Sequence, residues 1–183
     1  MDNGASSYRR FLDGDEDAFD NLMKEYFHSL VFFIDGYVHN VHTAEDIAID
    51  TFSDLIVHPN RYNFKVSLKT YLFMVGRCRA IDFLRRGKII NFVELSSGED
   101  VSDDRHILED IVLMDERKIL VHKAVDKLPE NMRTVIHLIY FEQMSYEEAG
   151  KVMKKTRKQV DNLLYRAKSE LRTILGEDGE DLL

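Results

Sequence analysis

Apolar residues recur along this chain at three- and four-residue steps rather than alternating, the spacing that lines one face of a helix. From Asp15, a residue suited to capping, the series Phe19, Leu22, Met23, Tyr26, Leu30, Phe33, Ile34 and Tyr37 predicts one long core-facing helix. Thr43 and Asp46 have the spacing of a capping box for a second helix with Ile47, Phe52, Leu55 and Ile56 apolar, ended by Pro59. Ser67 is placed to cap a third, carrying Leu68, Tyr71, Leu72 and Val75, running to about Arg86 and stopped by Gly87.

The periodicity lapses through SSGEDVSDDRHILEDI and returns with Leu120, Val121, Ala124 and Leu128. Pro129 then suits the first turn of a helix containing Met132, Val135, Ile136 and Ile139. Two further capping boxes follow eleven residues apart, Ser145 with Glu148 and Thr156 with Gln159. They predict a two-turn helix, a tight turn at 153–155 and a longer helix to about Ile174. The expected class is all-α: two small helical domains, 1–94 and 115–176, joined by an acidic linker at 95–114 and followed by an acidic tail at 177–183.

Composition supports this division. With 183 residues, 44% of them hydrophobic and 32% charged, the chain can build two small cores. The net charge of −8 argues at first against a nucleic-acid partner, but its distribution reverses that. Residues 1–60 sum to −9 and 61–93 to +7; residues 94–116 sum to −8, 117–176 to +6 and 177–183 to −4. Two basic blocks alternate with three acidic ones. Cys78 is the only cysteine, which removes intrachain disulfides and thiolate clusters and suits a reducing cytoplasm. No apolar run approaches the roughly 18 residues that span a bilayer, so membrane insertion is not expected.

SYEEAGKVMKKTRKQVDNLLYRAKSEL has the pattern of a helix-turn-helix, with Ala149, Val152, Val160, Leu163 and Ala167 expected inside and Ala149 small enough to let the two helices approach. The outward face would present Arg157, Lys158, Asp161, Asn162, Tyr165 and Lys168. Arg bonding guanine and Asn bonding adenine in a major groove are each worth roughly 1 to 3 kcal/mol. A plain helical hairpin with a solvated basic face has the same pattern.

In the first domain, Asn60, Arg61, Tyr62, Asn63, Phe64 and Lys65 mix aromatics with cations, the combination that holds unstacked bases at roughly 1 to 3 kcal/mol per base. The competing reading is that Tyr62 and Phe64 pin a loop onto the core. Arg77, Arg79, Arg85, Arg86 and Lys88 supply phosphate attraction on the following helix. Asp82 follows Leu68 and Val75 at seven-residue steps, which predicts partial burial beside an arginine. His39, His42 and Asp46 have a weak metal-ligand look with no third histidine beside them. No catalytic motif or cofactor loop occurs, so neither enzyme activity nor a cofactor is expected.

LPENMRTVIHLIYFEQMSYEEAG through YRAKSEL resembles region 4 of sigma-70 family sigma factors, AEDIAIDTFSDLI resembles region 2.2, and SLKTYLFMVGRCRAIDFLRR resembles regions 2.3 and 2.4. The resemblance implies a transcription initiation factor of the extracytoplasmic-function type, whose partners are bacterial core RNA polymerase, promoter DNA and an anti-sigma factor. It implies core docking by Glu45, Asp46, Asp50, Asp54 and Leu55. Minus-ten contacts fall to Arg61, Tyr62, Asn63, Phe64, Lys65, Arg77, Cys78, Arg85 and Arg86. Minus-thirty-five contacts fall to Arg157, Lys158, Asn162 and Arg166, with Lys168 on the same outward face. Ile49, Cys78, Lys154 and Asp161 depart from the family pattern. The resemblance further implies that the linker threads a polymerase channel, where Glu99, Asp100, Asp103 and Asp104 would meet basic walls as a nucleic-acid mimic. A helix-turn-helix regulator that acts without polymerase, and a protein-binding adaptor, are the readings from other classes.

Overall fold

A computed structural model describes residues 4–93 and 123–176, with side chains excepted at 88–93; the linker and its acids, Leu120 and Val121, the tail and the Lys88 side chain lie outside the described residues. Every regular element among the described residues is helical, and they fall into two compact units. The first contains α1 (Ala5–Leu12), α2 (Glu16–Val38), α3 (Val41–Val57), a short 3-10 turn (Pro59–Arg61) and α4 (Leu68–Val93).

Helix α2 begins where expected, because the Asp15 side chain accepts a hydrogen bond from the Ala18 amide. Its inward row of Leu22, Leu30, Phe33 and Ile34 meets Ala44, Ala48 and Phe52 of α3 and Leu72, Phe73 and Ala80 of α4, all buried. Gly76 sets the α2 to α4 approach: a Cβ there would stand 2.9 Å from Leu30 Cδ1 and 3.2 Å from Ile34 Cδ1.

The second boundary differs from expectation. Helix α3 starts at Val41, capped by Asn40, whose Oδ1 accepts from the Thr43 amide at 2.9 Å, so Thr43 and Asp46 lie within the helix. Asn is a stronger cap than Thr, and His39, left-handed at φ 53°, has already closed α2. The third boundary also moves. Ser67 does bond the Thr70 amide, but α4 continues through Gly87 to Val93. A helical glycine costs about 1 kcal/mol relative to alanine, which weakens a helix without ending it. Asp82 lies exposed rather than partly buried, and it pairs with Arg85 at 3.2 Å.

Helix α1 has no counterpart among the predicted elements. Tyr8 anchors it: the ring is fully buried and its hydroxyl donates to the Leu55 carbonyl in the last turn of α3 at 2.8 Å. Burial, with Tyr71 and Tyr62 nearby, pushes the Tyr8 phenol up to about 12, so it is a neutral donor at physiological pH.

In the second unit, residues 123–126 form a helical turn before Pro129, which precedes α5 (Glu130–Ile136). The helix then widens into a π segment, His137–Phe141, closed by the Glu142 amide bonding to the His137 carbonyl. The extra residue in this turn leaves Tyr140 and Phe141 49% and 40% exposed while Leu138 is fully buried. It also brings the buried His137 Nε2 within 3.2 Å of Glu142 Oε1. Helices α6 (Tyr146–Met153) and α7 (Arg157–Leu175) complete the unit, and α7 packs along α5.

The Tyr8 anchor leads to a graded expectation. Tyr8→Phe should lower the unfolding free energy by about 1 kcal/mol through the lost hydrogen bond. Tyr8→Ala should lower it by roughly 3 to 5 kcal/mol, as for a buried aromatic. Urea unfolding of the full chain measures both, and an alanine variant as stable as the parent would mean that α1 is no part of the core.

Candidate nucleic-acid and polymerase-docking surfaces

The first candidate surface is built where α3, the 3-10 turn and α4 meet at Asp54. Its carboxylate, 13% exposed, accepts from Arg61 Nη1 and lies 3.0 Å from His58 Nδ1 and 3.6 Å from Arg79 Nη2. The Arg61 hydrogen bond, aided by the charges of Arg61, Arg79 and His58 against the opposing effect of burial, holds Asp54 below the usual carboxylate value. Asp50 is more distant from Arg79, at 3.8 Å, and is largely exposed.

This arrangement divides the five residues assigned to polymerase docking. Asp46 and Asp50 face solvent, and Glu45 is half-buried, 3.6 Å from His42 Nδ1. Asp54 is engaged within its own unit. Leu55 is 1% exposed and belongs to the core, a correction to its docking assignment: its place on the helix alternates with the outward acids, and its carbonyl accepts from the buried Tyr8 hydroxyl. The apolar residues that α3 does expose are Ile49 at 48%, Ile56 at 51% and Val57 at 67%. The sequence alone carried a signal for them, since they occupy the helix rows that also carry the acids.

The loop after the 3-10 turn likewise separates its residues. Tyr62 is 2% exposed, with its hydroxyl donating to the Val66 carbonyl at 2.7 Å, so it pins the loop and its ring is not a free face for a base. Asn63 Oδ1 accepts from the Lys65 amide, and both residues are exposed. Phe64 adopts a left-handed backbone, φ 61°, and is half-buried with its centroid 4.6 Å from that of Tyr62. The Arg9 guanidinium of α1 lies over the Phe64 ring, 4.8 Å from its centroid. On α4, Arg77 Nε donates to the Tyr37 hydroxyl at 3.1 Å, Cys78 is half-buried, and Arg85 and Arg86 are exposed.

The second surface is the α6–α7 corner. Both expected capping boxes are present in reciprocal form, Ser145 with Glu148 and Thr156 with Gln159. Lys154 makes the turn in the left-handed conformation, φ 55°. The close approach depends on Gly150 as well as Ala149: a Cβ on Gly150 would stand 2.6 Å from the Lys155 carbonyl oxygen. The inward row is Val160, Leu164, Ala167 and Leu171, with Leu164 buried and Leu163 half-buried, a one-residue correction. Outside, Arg157, Lys158, Asp161, Asn162, Tyr165 and Arg166 are exposed, and Tyr165 reaches 76%. Lys168 differs, being half-buried with its ammonium 5.1 Å from the Tyr140 centroid. Arg157 Nε lies 3.3 Å from Glu147 Oε1, and Asp161 lines a shallow hollow with Tyr146, Arg157 and Lys158. His39 and His42 gather no third ligand, and no metal-holding cluster occurs among the described residues.

Residues 22–89 match the family model for Sigma-70 region 2, and residues 118–171 match that for Sigma-70, region 4. The chain belongs to the sigma-70 family. Within it, the chain is 28% identical over 170 residues to the RNA polymerase sigma-H factor of Pseudomonas aeruginosa, covering 88% of each. It is 26% identical to the ECF RNA polymerase sigma factor SigW of Bacillus subtilis, covering 88% of this chain and 91% of that one. The fold is similar to that of the sigma factor RpoE of Bartonella quintana, solved in complex with the anti-sigma factor NepR, with a TM-score of 0.66, 22% identity, and 87% and 98% of the two chains covered. It is also similar to that of CnrH, solved with the cytosolic domain of CnrY, with a TM-score of 0.63, 18% identity, and 97% and 96% covered. The relatives named as ECF RNA polymerase sigma factors place the protein among the extracytoplasmic-function sigma factors.

Two measurements follow for regions 2 and 4. Asp54 gains its partners on folding, so its carboxylate is depressed in the folded state. Its stabilisation is therefore present above the unfolded value of about 3.8 and is lost as pH falls from there through the folded value. Asp54→Asn should flatten that acid limb of the unfolding midpoint against pH; an unchanged limb would show that the network contributes nothing. Gly150→Ala should destabilise region 4 by roughly 2 kcal/mol or more, because backbone must move to admit the methyl group. Thermal unfolding and binding of minus-thirty-five duplex should weaken together in that variant.

Proposed function

We propose that this sigma factor joins core RNA polymerase through the outward face of α3, opens promoter DNA at the loop 60–66 and α4, and reads the minus-thirty-five element with α7. The observation that carries this reading is the match to region 2 and then region 4, in that order, within one chain. Geometry supports the division of labour. Asp46 and Asp50 flank the exposed Ile49, which gives α3 an acidic rim around apolar contacts, a surface suited to a basic helical partner. Arg157, Lys158, Asn162 and Arg166 project from one helix whose opposite face is buried, the geometry for entering a major groove. Cys78, half-buried on α4, is proposed to act on minus-ten preference from within the helix row it shares with the strand-facing arginines.

The protein works by binding and has no catalytic chemistry of its own. Residues 1–94 serve as region 2 and 115–176 as region 4, and the acidic stretch between them sets their reach. No helix among the described residues is long and apolar enough to cross a membrane; the proposed place of action is the cytoplasm, because that is where core polymerase and promoter DNA meet. The anti-sigma complexes of the structural neighbours support a similar regulator here, covering one or both DNA-facing surfaces.

Mixing the full chain with bacterial core polymerase and mapping transcript starts tests this. Specific initiation that requires both proteins is expected, with Asp46→Lys together with Asp50→Lys weakening core binding about tenfold or more. Tight sequence-specific duplex binding without polymerase, and no association with core, would favour the stand-alone regulator instead.

A further inference from the structure

We propose that Arg9, on the N-terminal helix, is a strand-binding residue of the opened minus-ten element, using Phe64 as its platform. This rests on the reading of region 2 as the melting domain and adds α1 to its DNA site.

Three observations converge on Arg9. First, its neighbour Tyr8 is fully buried and bonded to α3, so Arg9 projects from a fixed helix. Gly4, left-handed at φ 79° and pressed against Tyr26, Leu22 and Leu68, holds the other end of that helix. Second, Phe64 adopts a left-handed conformation that costs a bulky side chain on the order of 1 kcal/mol or more. Phenylalanine has no polar group to offset this locally, so its ring contacts must. Those contacts are Tyr62, Tyr8 at 6.1 Å and the Arg9 guanidinium at 4.8 Å.

Third, the cations around the loop are not equivalent. Arg10 is bonded to Asp15 and serves the α1 to α2 turn, while Arg61 is bonded to Asp54. Arg9 and Lys65 are exposed, and among the described residues neither has a carboxylate partner. A guanidinium stacked on an aromatic ring keeps its outer face and its charge, and that flat cationic face stacks on a nucleobase as readily as on an arene. Phe64, Arg9 and a captured base then form successive layers, with the guanidinium edge and Lys65 available to the adjacent phosphates. Tyr62 contributes from beneath by fixing the loop. The cation that lies over the strained aromatic comes from a helix outside the matched region 2 segment, which begins at residue 22.

The test uses holoenzyme assembled from core polymerase and the full chain. It measures affinity for a forked promoter fragment with a single-stranded minus-ten element and for a duplex fragment carrying only the minus-thirty-five element. Arg9→Ala should weaken forked-template binding about five- to thirty-fold, the scale of one base-stacking contact, and leave core binding and duplex binding within about twofold. Arg9→Lys, which keeps the charge but not the plane, should recover only part of the loss. Combining Arg9→Ala with Phe64→Ala should be no worse than the more damaging single change, because both remove the same stack. Forked-template binding within about twofold of the parent, equal losses on both fragments, or additive effects with Phe64→Ala would each overturn the proposal. The unfolding midpoint of Arg9→Ala, expected to fall only by the small worth of one exposed cation–π contact, separates a lost contact from a lost fold. If the parent chain fails to bind core at all, the initiation reading falls and this proposal with it; parental binding with an unaffected Arg9→Ala removes only the latter.

Discussion

A largely buried carboxylate must have partners, and in region 2 the partners of Asp54 come from three different segments: His58 at the end of α3, Arg61 of the 3-10 turn and Arg79 of α4. Much else depends on this junction. It fixes the start of the loop 60–66, since Arg61 is held one residue before Tyr62 is buried. It also fixes the helical phase of α3, because an inward-leaning Asp54 beside a buried Leu55 sends Asp46, Ile49, Asp50 and Ile56 outward. One ionic cluster thus separates a surface suited to polymerase from a loop suited to DNA, although both are contiguous in sequence.

Region 4 depends on a steric constraint instead. The Lys155 carbonyl packs over the Gly150 Cα at a distance that excludes a side chain, and the Lys155 amide returns a hydrogen bond to the Gly150 carbonyl at 2.8 Å. The corner is therefore drawn tight by backbone, and Lys154 accepts a left-handed conformation to complete it. Glycine is required for the approach, not for the turn. This resolves the departure noted at position 154: the turn tolerates a lysine at moderate cost because the neighbouring close contact, which tolerates nothing larger than hydrogen, is met about one helical turn earlier, at Gly150.

Features decided by local chemistry were legible in the sequence. Asp15, Ser67, Ser145 and Thr156 cap because their short oxygens reach amides three residues on, whatever the tertiary setting. Features decided by competition between neighbours were less so. Asn40 displaces Thr43 as the cap of α3 because both have suitable side chains and the earlier, stronger one wins. Gly87 fails to stop α4 because a single propensity penalty is small beside a continuing helix. Position within a row was the hardest to read: Leu55 from Asp54, or Leu164 from Leu163, differ by 100° on the helix, and only packing assigns which is inside. Helix α1 was not legible because its eight residues make little more than two turns, and Tyr8, Phe11 and Leu12 offer a single three- and four-residue step with no repeat to support it.

The distribution of partners also explains how a chain of net charge −8 can hold DNA. Arg61 and Arg79 are compensated by acids of α3, Arg85 by Asp82, and Arg157 by Glu147. The two pairs exposed on both sides, Arg85 with Asp82 and Arg157 with Glu147, contribute little to stability, about 0 to 1 kcal/mol, but like the Asp54 cluster they orient long side chains that would otherwise sample many rotamers. An arginine already held by a carboxylate exchanges that partner for a phosphate or a base edge at a smaller entropic penalty than a free one, and with weaker attraction at long range. Arg9 and Arg86, exposed with no acidic partner among the described residues, have the opposite balance, strong attraction with less fixed geometry, except that Phe64 supplies the missing geometry for Arg9. Under the proposed function, specificity and attraction would therefore fall to different cations, and an acidic protein needs only a few uncompensated ones, correctly placed, to approach a polyanion.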